Sequence, residues 1–83
     1  MTKLGKYLAK RSVNKSAVSR RTGISKARIS ELTLNTSTKL RAEELYLIAL
    51  AVDVEPAEIL KEIYGHLKLI NDMPLVGKQR PSK

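Results

Sequence analysis

The sequence predicts an all-α domain, and three observations carry that prediction. Apolar residues recur at helical spacing, as Leu4, Tyr7 and Leu8 do, and again Ile59, Leu60, Ile63, Tyr64 and Leu67. The 83 residues include no Phe and no Trp, so the core must be built from Leu, Ile, Val and Ala with three tyrosines. That palette suits small helices better than a β-sandwich, which favours aromatic and β-branched residues. Helix punctuation is the third: Asn14 and Ser25 stand where N-caps belong, and Gly23 where a helix stops. The length makes one domain the default.

Each element follows from its own residues. Residues 2–11, TKLGKYLAKR, form a short amphipathic helix with lysines between the apolar positions. Asn14 caps a second helix over KSAVSRRT, which turns Ala17, Val18 and the stem of Arg21 inward. Gly23 is a C′ glycine, for which a left-handed conformation costs nothing. Ser25 caps a third helix, KARISELTL, with Ile29 and Leu32 one turn apart. Asn35, which tolerates left-handed dihedrals, is the expected stop, and NTSTKL follows as a polar loop.

A fourth helix fits RAEELYLIALAV, with acids in its first turn as the helix dipole prefers. Leu45, Leu47, Ile48, Leu50 and Ala51 make it apolar almost all round, so it is expected to be central and largely buried. Pro56 suits a first helical position, and the fifth helix is expected over PAEILKEIYGHLKLI, weakened near its end by Gly65. Residues 1–68 thus form the domain, and residues 69–83 are expected to be a flexible basic tail.

Charge placement points to a partner. Residues 1–30 hold nine Lys or Arg and no acid, whereas residues 31–62 hold seven acids against Lys39, Arg41 and Lys61. Nucleic acid is the natural partner of such a positive end. Without cysteine there are no disulfides and no Cys-based metal sites, and one histidine leaves little for catalysis. His66 is assigned no role. Glu43, Glu44, Glu58 and Glu62 read as helix-supporting charges, and the four scattered glycines make no phosphate-cradling loop. No enzyme, metal or cofactor is expected. No apolar run approaches the roughly 20 residues of a bilayer span, and the basic N-terminus lacks a signal peptide's apolar stretch. A cytoplasmic protein without membrane contact is expected.

Residues 15–34 then assemble into a helix-turn-helix. Two helices joined by a few residues must cross at a wide angle and touch near the joint. Gly23 makes the bend, Ser19 permits close approach, Ile24 plugs the corner, and Val18, Ile29 and Leu32 lock the pair. The third helix has one apolar edge, and the rest of it must face something polar. In a major groove its N-terminal turn would reach base edges. Lys26 and Arg28 suit guanine or phosphate, Ala27 a thymine methyl, Ser30 a base or phosphate, and Glu31 the amino group of cytosine.

VNKSAVSRRTGISKARISEL (residues 13–32) and IALAVDVEPAEIL (residues 48–60) resemble the lambda-repressor-like family of Cro/C1 or XRE-type bacterial DNA-binding regulators. The likeness runs from Leu4 to about Tyr64. It implies five helices, the third as reader, and two-fold dimers on palindromic operators. By position, Asn14 and Lys15 lie beside a phosphate, Ser25 lies on the reading helix, and residues 35–41 follow the DNA backbone. The expected phosphate set is therefore Asn14, Lys15, Arg20, Arg21, Ser25, Asn35, Thr36, Ser37, Thr38, Lys39 and Arg41. The chain departs from the family pattern at Lys15 (usually Gln), Ser19 (usually Ala), Thr33 (often Glu) and Asp53 (usually Gly).

The expected function is a sequence-specific double-stranded DNA-binding transcription regulator, cytoplasmic and nucleoid-associated in a bacterial or phage setting. It acts as a homodimer, with Tyr46 and Tyr64 in the core or at the dimer contact. No ligand-sensing domain is expected. The alternatives are the antitoxin of a toxin–antitoxin pair, its tail folding on the toxin, and an adaptor that contacts a polymerase with little DNA affinity.

Overall fold

The computed structural model describes residues 1–71 and 73–75. Five helices follow in order: α1 (Lys3–Lys10), α2 (Lys15–Thr22), α3 (Lys26–Leu34), α4 (Ala42–Ala51) and α5 (Pro56–Tyr64). The described residues contain no strand, and none of their helices is long and apolar enough to cross a membrane. Each helix packs on two others, in the closed ring α1–α3–α2–α4–α5 and back to α1. The ring encloses an aliphatic core of Leu4, Leu8, Val18, Ile29, Leu32, Leu45, Ile48, Ala49, Val54, Ile59 and Ile63.

α1 is seated on α3 by more than its leucines. Thr2 caps α1 by accepting from the Gly5 N–H (2.9 Å), and its hydroxyl donates to the Leu32 carbonyl (2.7 Å). Its backbone N–H donates to the Thr33 carbonyl (2.9 Å). Gly5 lies directly over that carbonyl, where a Cβ would overlap it and also meet Met1. Thr33 is itself buried, its hydroxyl donating to the Ile29 carbonyl at 2.9 Å. A long side chain there would have no space, so the departure at Thr33 belongs to the α1–α3 contact.

Three expectations need correction. α4 is not buried all round. Leu45, Ile48 and Ala49 face the core, but Tyr46 (54 % exposed), Leu47 (38 %) and Leu50 (48 %) do not. Apolar content sets how much surface a helix offers, and α2 and α5 cover only one side of it. α5 stops at Tyr64 instead of reaching residue 70. Gly65 raises the entropic cost of another turn, and no neighbour waits to cover Leu67, Leu69 and Ile70, which are all exposed. Asn35 ends α3 with an extended backbone (φ −99°, ψ 109°), not a left-handed one. Among the described residues other than glycine, positive φ occurs instead at Ser12 (φ 55°) and Asp53 (φ 59°), each between two helices. Of the expected flexible tail, residues 69–71 and 73–75 are without helix or strand and exposed; Asp72 and residues 76–83 lie outside the described residues.

Candidate nucleic-acid interface

The joint between α2 and α3 is built as its residues require. Gly23 adopts φ 81°, ψ 0°, and its N–H closes on the Ser19 carbonyl (2.9 Å). The two hydroxyls flanking it tie the corner. Ser19 donates to the Ile24 carbonyl (2.6 Å), and Thr22 accepts from the Ile24 N–H (3.1 Å) while donating to the Val18 carbonyl (2.7 Å). Ser19 is therefore more than a small residue. Its hydroxyl holds the bend that an alanine could only permit.

α3 turns Ile29, Leu32 and Thr33 into the protein and leaves Lys26, Ala27, Ser30, Glu31 and Leu34 exposed. Leu34, exposed at 54 %, was not expected on this face. Its place one turn after Ser30 was the available signal. Its exposed apolar surface suits contact with a sugar or a thymine methyl.

The two caps leave hydrogen-bond donors pointing away from their own helices. Asn14 Oδ1 accepts from the Ala17 N–H (3.1 Å), which leaves its NH₂ group free. Ser25 Oγ accepts from the Arg28 N–H (3.1 Å), which leaves its hydroxyl proton to donate. Neither α2 nor α3 has an acid in its first turn. Both positive helix ends are thus open to an anion such as a phosphate.

Arg28 behaves differently from its neighbours. Its Nε donates to Glu44 Oε2 (2.8 Å), and its Nη2 donates to Glu44 Oε1 (3.0 Å) and to the Lys39 carbonyl (2.9 Å). Glu31 stands 3.7 Å from Nη1. Glu44, almost wholly buried, also accepts from the Arg41 N–H (2.9 Å) at the start of α4. The Arg28 hydrogen bonds hold the Glu44 carboxyl below the usual glutamate range, outweighing the burial that pushes it up. Glu44 was read as a helix-supporting charge, which it is, but its ties to α3 were not foreseen. Glu at the third helical position was the available signal for the Arg41 contact; nothing local marked Arg28.

The segment 35–41 has internal order. Asn35 Oδ1 accepts from the Ser37 N–H (2.9 Å) and the Ser37 hydroxyl (2.7 Å), an Asx-turn. The Asn35 NH₂ remains available, whereas the Ser37 hydroxyl has spent its one proton. Thr36, Lys39 and Arg41 are exposed and Thr38 is half-buried. Among the described residues the ion pairs are those of Arg28 alone, so Lys15, Arg20, Lys26, Lys39 and Arg41 have no carboxylate partner. Arg21 is exposed, not turned inward, and donates to the Ala51 carbonyl (2.7 Å), tying α2 to the end of α4.

Comparison with curated proteins and with solved structures gave no match. The family model of the Cro/C1-type HTH DNA-binding domain matches residues 3–63, from the first residue of α1 to the last but one of α5. With its five helices, its glycine-bent joint and a third helix whose outer face is polar and open, the chain belongs to the Cro/C1-type helix-turn-helix DNA-binding domains.

Proposed function

We propose that the protein is a sequence-specific regulator of transcription in which α3 enters the major groove. Lys26, Ala27, Ser30 and Glu31 then face base edges, joined by Leu34. The observation that carries this reading is the outer face of α3: its apolar edge is consumed by the core and its exposed residues have no other protein surface to meet. Asn14, Lys15, Arg20 and Ser25 contact phosphates on one side of the reading helix, and Asn35, Thr36, Lys39 and Arg41 on the other. Phosphate contacts set register, and base contacts set sequence. Arg28 braces the helix through Glu44 and Lys39, and Arg21 braces α2. Ser37 and Thr38 shape their loop. The protein acts as a homodimer on a palindromic operator, so one half-site is read by each copy.

Selection of bound sequences from a random duplex pool tests this directly. The expected result is one enriched sequence with two inverted half-sites. Its binding constant should fall with salt, with a log–log slope of about 0.9 for each phosphate contacted. A flat salt response, or a pool that shows no enrichment, would remove the reading in favour of the protein-adaptor alternative.

A further inference from the structure

A cationic cleft lies apart from α3. It occupies about 580 Å³ where the end of α1, one side of α2 and the end of α4 meet, and no residue of α3 lines it. Its floor is apolar: Val18 is buried, and Val13 and Val52 are half-buried. Lys10, Arg11 and Arg21 stand exposed around that floor, with Asn14 at the rim. Among the described residues the ion pairs are those of Arg28, so none of these three cations has a carboxylate partner. No acid lines the cleft, and Asp53, which follows Val52 in the chain, stays outside the lining.

The cleft offers donors, and the helix-end carbonyls beside it are already spent. The Leu8 and Ala9 carbonyls at the end of α1 accept from the N–H groups of Arg11, Ser12 and Val13. The Ala51 carbonyl at the end of α4 accepts from Arg21 Nη1 (2.7 Å). That bond anchors the guanidinium and leaves its other N–H groups to donate. Arg11 is steadied too, its guanidinium carbon lying 5.5 Å from the centre of the Tyr7 ring. Asn14 keeps both protons of its NH₂ group. Ser12, also in the lining, holds φ 55°, a conformation that a residue with a Cβ adopts at a cost. Strain of that kind gathers at ligand sites. Three like charges around one apolar floor repel one another when nothing lies between them. An oxyanion relieves that repulsion and meets donors already in place.

We infer that this cleft is a second phosphate-binding site, built on Lys10, Arg11 and Arg21 and separate from the outer face of α3. The phosphate is carried by DNA backbone running beyond the half-site or by a free phosphate ester. Guanidinium forks pair with phosphate oxygens two at a time, and the two arginines here are held before the ligand arrives. Asn14 is where the cleft adjoins the phosphate edge proposed for α2. The site goes beyond the reading given to α3 and does not require that helix to enter a groove.

The test uses the full chain and two probes. Inorganic pyrophosphate is titrated at constant ionic strength, with sodium chloride as the control. Amide resonances of Ser12, Val13 and Val52 should shift and saturate, and the melting temperature should rise, because a ligand of the folded state stabilises it. The double change Lys10→Gln with Arg11→Gln, at exposed positions, should keep the helical signal and weaken binding at least tenfold. Lys3→Gln with Lys6→Gln removes the same charge from exposed positions of α1 outside the cleft and should leave binding unchanged. The second probe is the selected operator duplex, either trimmed to its half-sites or extended by about one helical turn on each side. With DNA in the cleft, the extended duplex binds more tightly, its log–log salt slope is steeper by about 0.9 per added phosphate, and the Lys10, Arg11 change abolishes the difference. With a free ester in the cleft, the two duplexes bind alike and pyrophosphate still saturates beside bound duplex. Either pattern upholds the site and names its source. Equal losses in the two double variants would overturn it, as would the absence of both saturable shifts and any effect of the flanks. Those outcomes leave the reading of α3 standing, since that is judged by the selection from random duplexes.

Discussion

Arg28 in α3 and Glu44 in the first turn of α4 are joined by two parallel hydrogen bonds of 2.8 and 3.0 Å. α3 is thereby fixed to α4 across the 35–41 loop, and the Lys39 carbonyl in that loop shares the same guanidinium. A planar guanidinium and a carboxylate match in this two-pronged way as lysine cannot.

The pair makes stability depend on pH. Glu44 has a lower pKa folded than unfolded, chiefly because Arg28 bonds its ionised form. Its stabilisation is therefore complete above the unfolded value of about 4.3 and lost as pH falls through the folded value. Melting temperature followed by circular dichroism should be nearly flat on this account from pH 7 to about 5 and decline below about 4. Glu44→Gln should melt lower at neutral pH and show a shallower acid decline. An identical acid decline in both proteins would assign the effect to other carboxylates.

Bracing and reading separate in DNA binding. Arg28→Lys should weaken the operator and unrelated duplexes by similar factors, since it loosens the whole helix. Lys26→Ala should instead change which base is preferred at one position, with a discrimination loss of roughly 1–3 kcal/mol. Lys15→Ala should lower affinity for all sequences and reduce the salt slope by about 1. Competition assays on operator variants and random duplex separate the three. A loss of preference at one base position in Arg28→Lys, with random duplex bound normally, would return Arg28 to the readers.

Gly5→Ala should destabilise the fold by about 1–3 kcal/mol, the range for overpacking a tight contact. The added methyl must push the Thr33 carbonyl away and so strain the Thr2 N–H bond to it. Thermal or urea unfolding reads this. A neutral result would show that α1 slides freely on α3.

Gly23 and Asp53 make opposite predictions from the same dihedral. Nothing lies within 4 Å of a Cβ at Gly23, so Gly23→Ala costs backbone strain alone (φ 81°), about 1 kcal/mol. Asp53 already bears that strain at φ 59°. Asp53→Gly should therefore leave stability unchanged or raise it by up to about 1 kcal/mol, despite the greater freedom of glycine in the unfolded chain. A clear loss of stability would mean that the Asp53 side chain contributes something beyond its backbone.

The sequence alone was enough for the helix caps of α2 and for the start of α3, which depend on neighbours along the chain. Asn14, Gly23 and Ser25 mark them at the residues where they occur, because capping is a contact between residues three or four apart. The polar face of α3 and the cationic first thirty residues were legible for the same reason: periodicity and charge are properties of the string. Only the tertiary structure could decide which side of α4 meets water, that α5 stops at Tyr64, and that Arg28 is held by Glu44. Each of those depends on a surface supplied by residues distant in the chain. A side chain's hydrogen bonds, and therefore what it has left to offer a partner, are settled only when those distant surfaces meet.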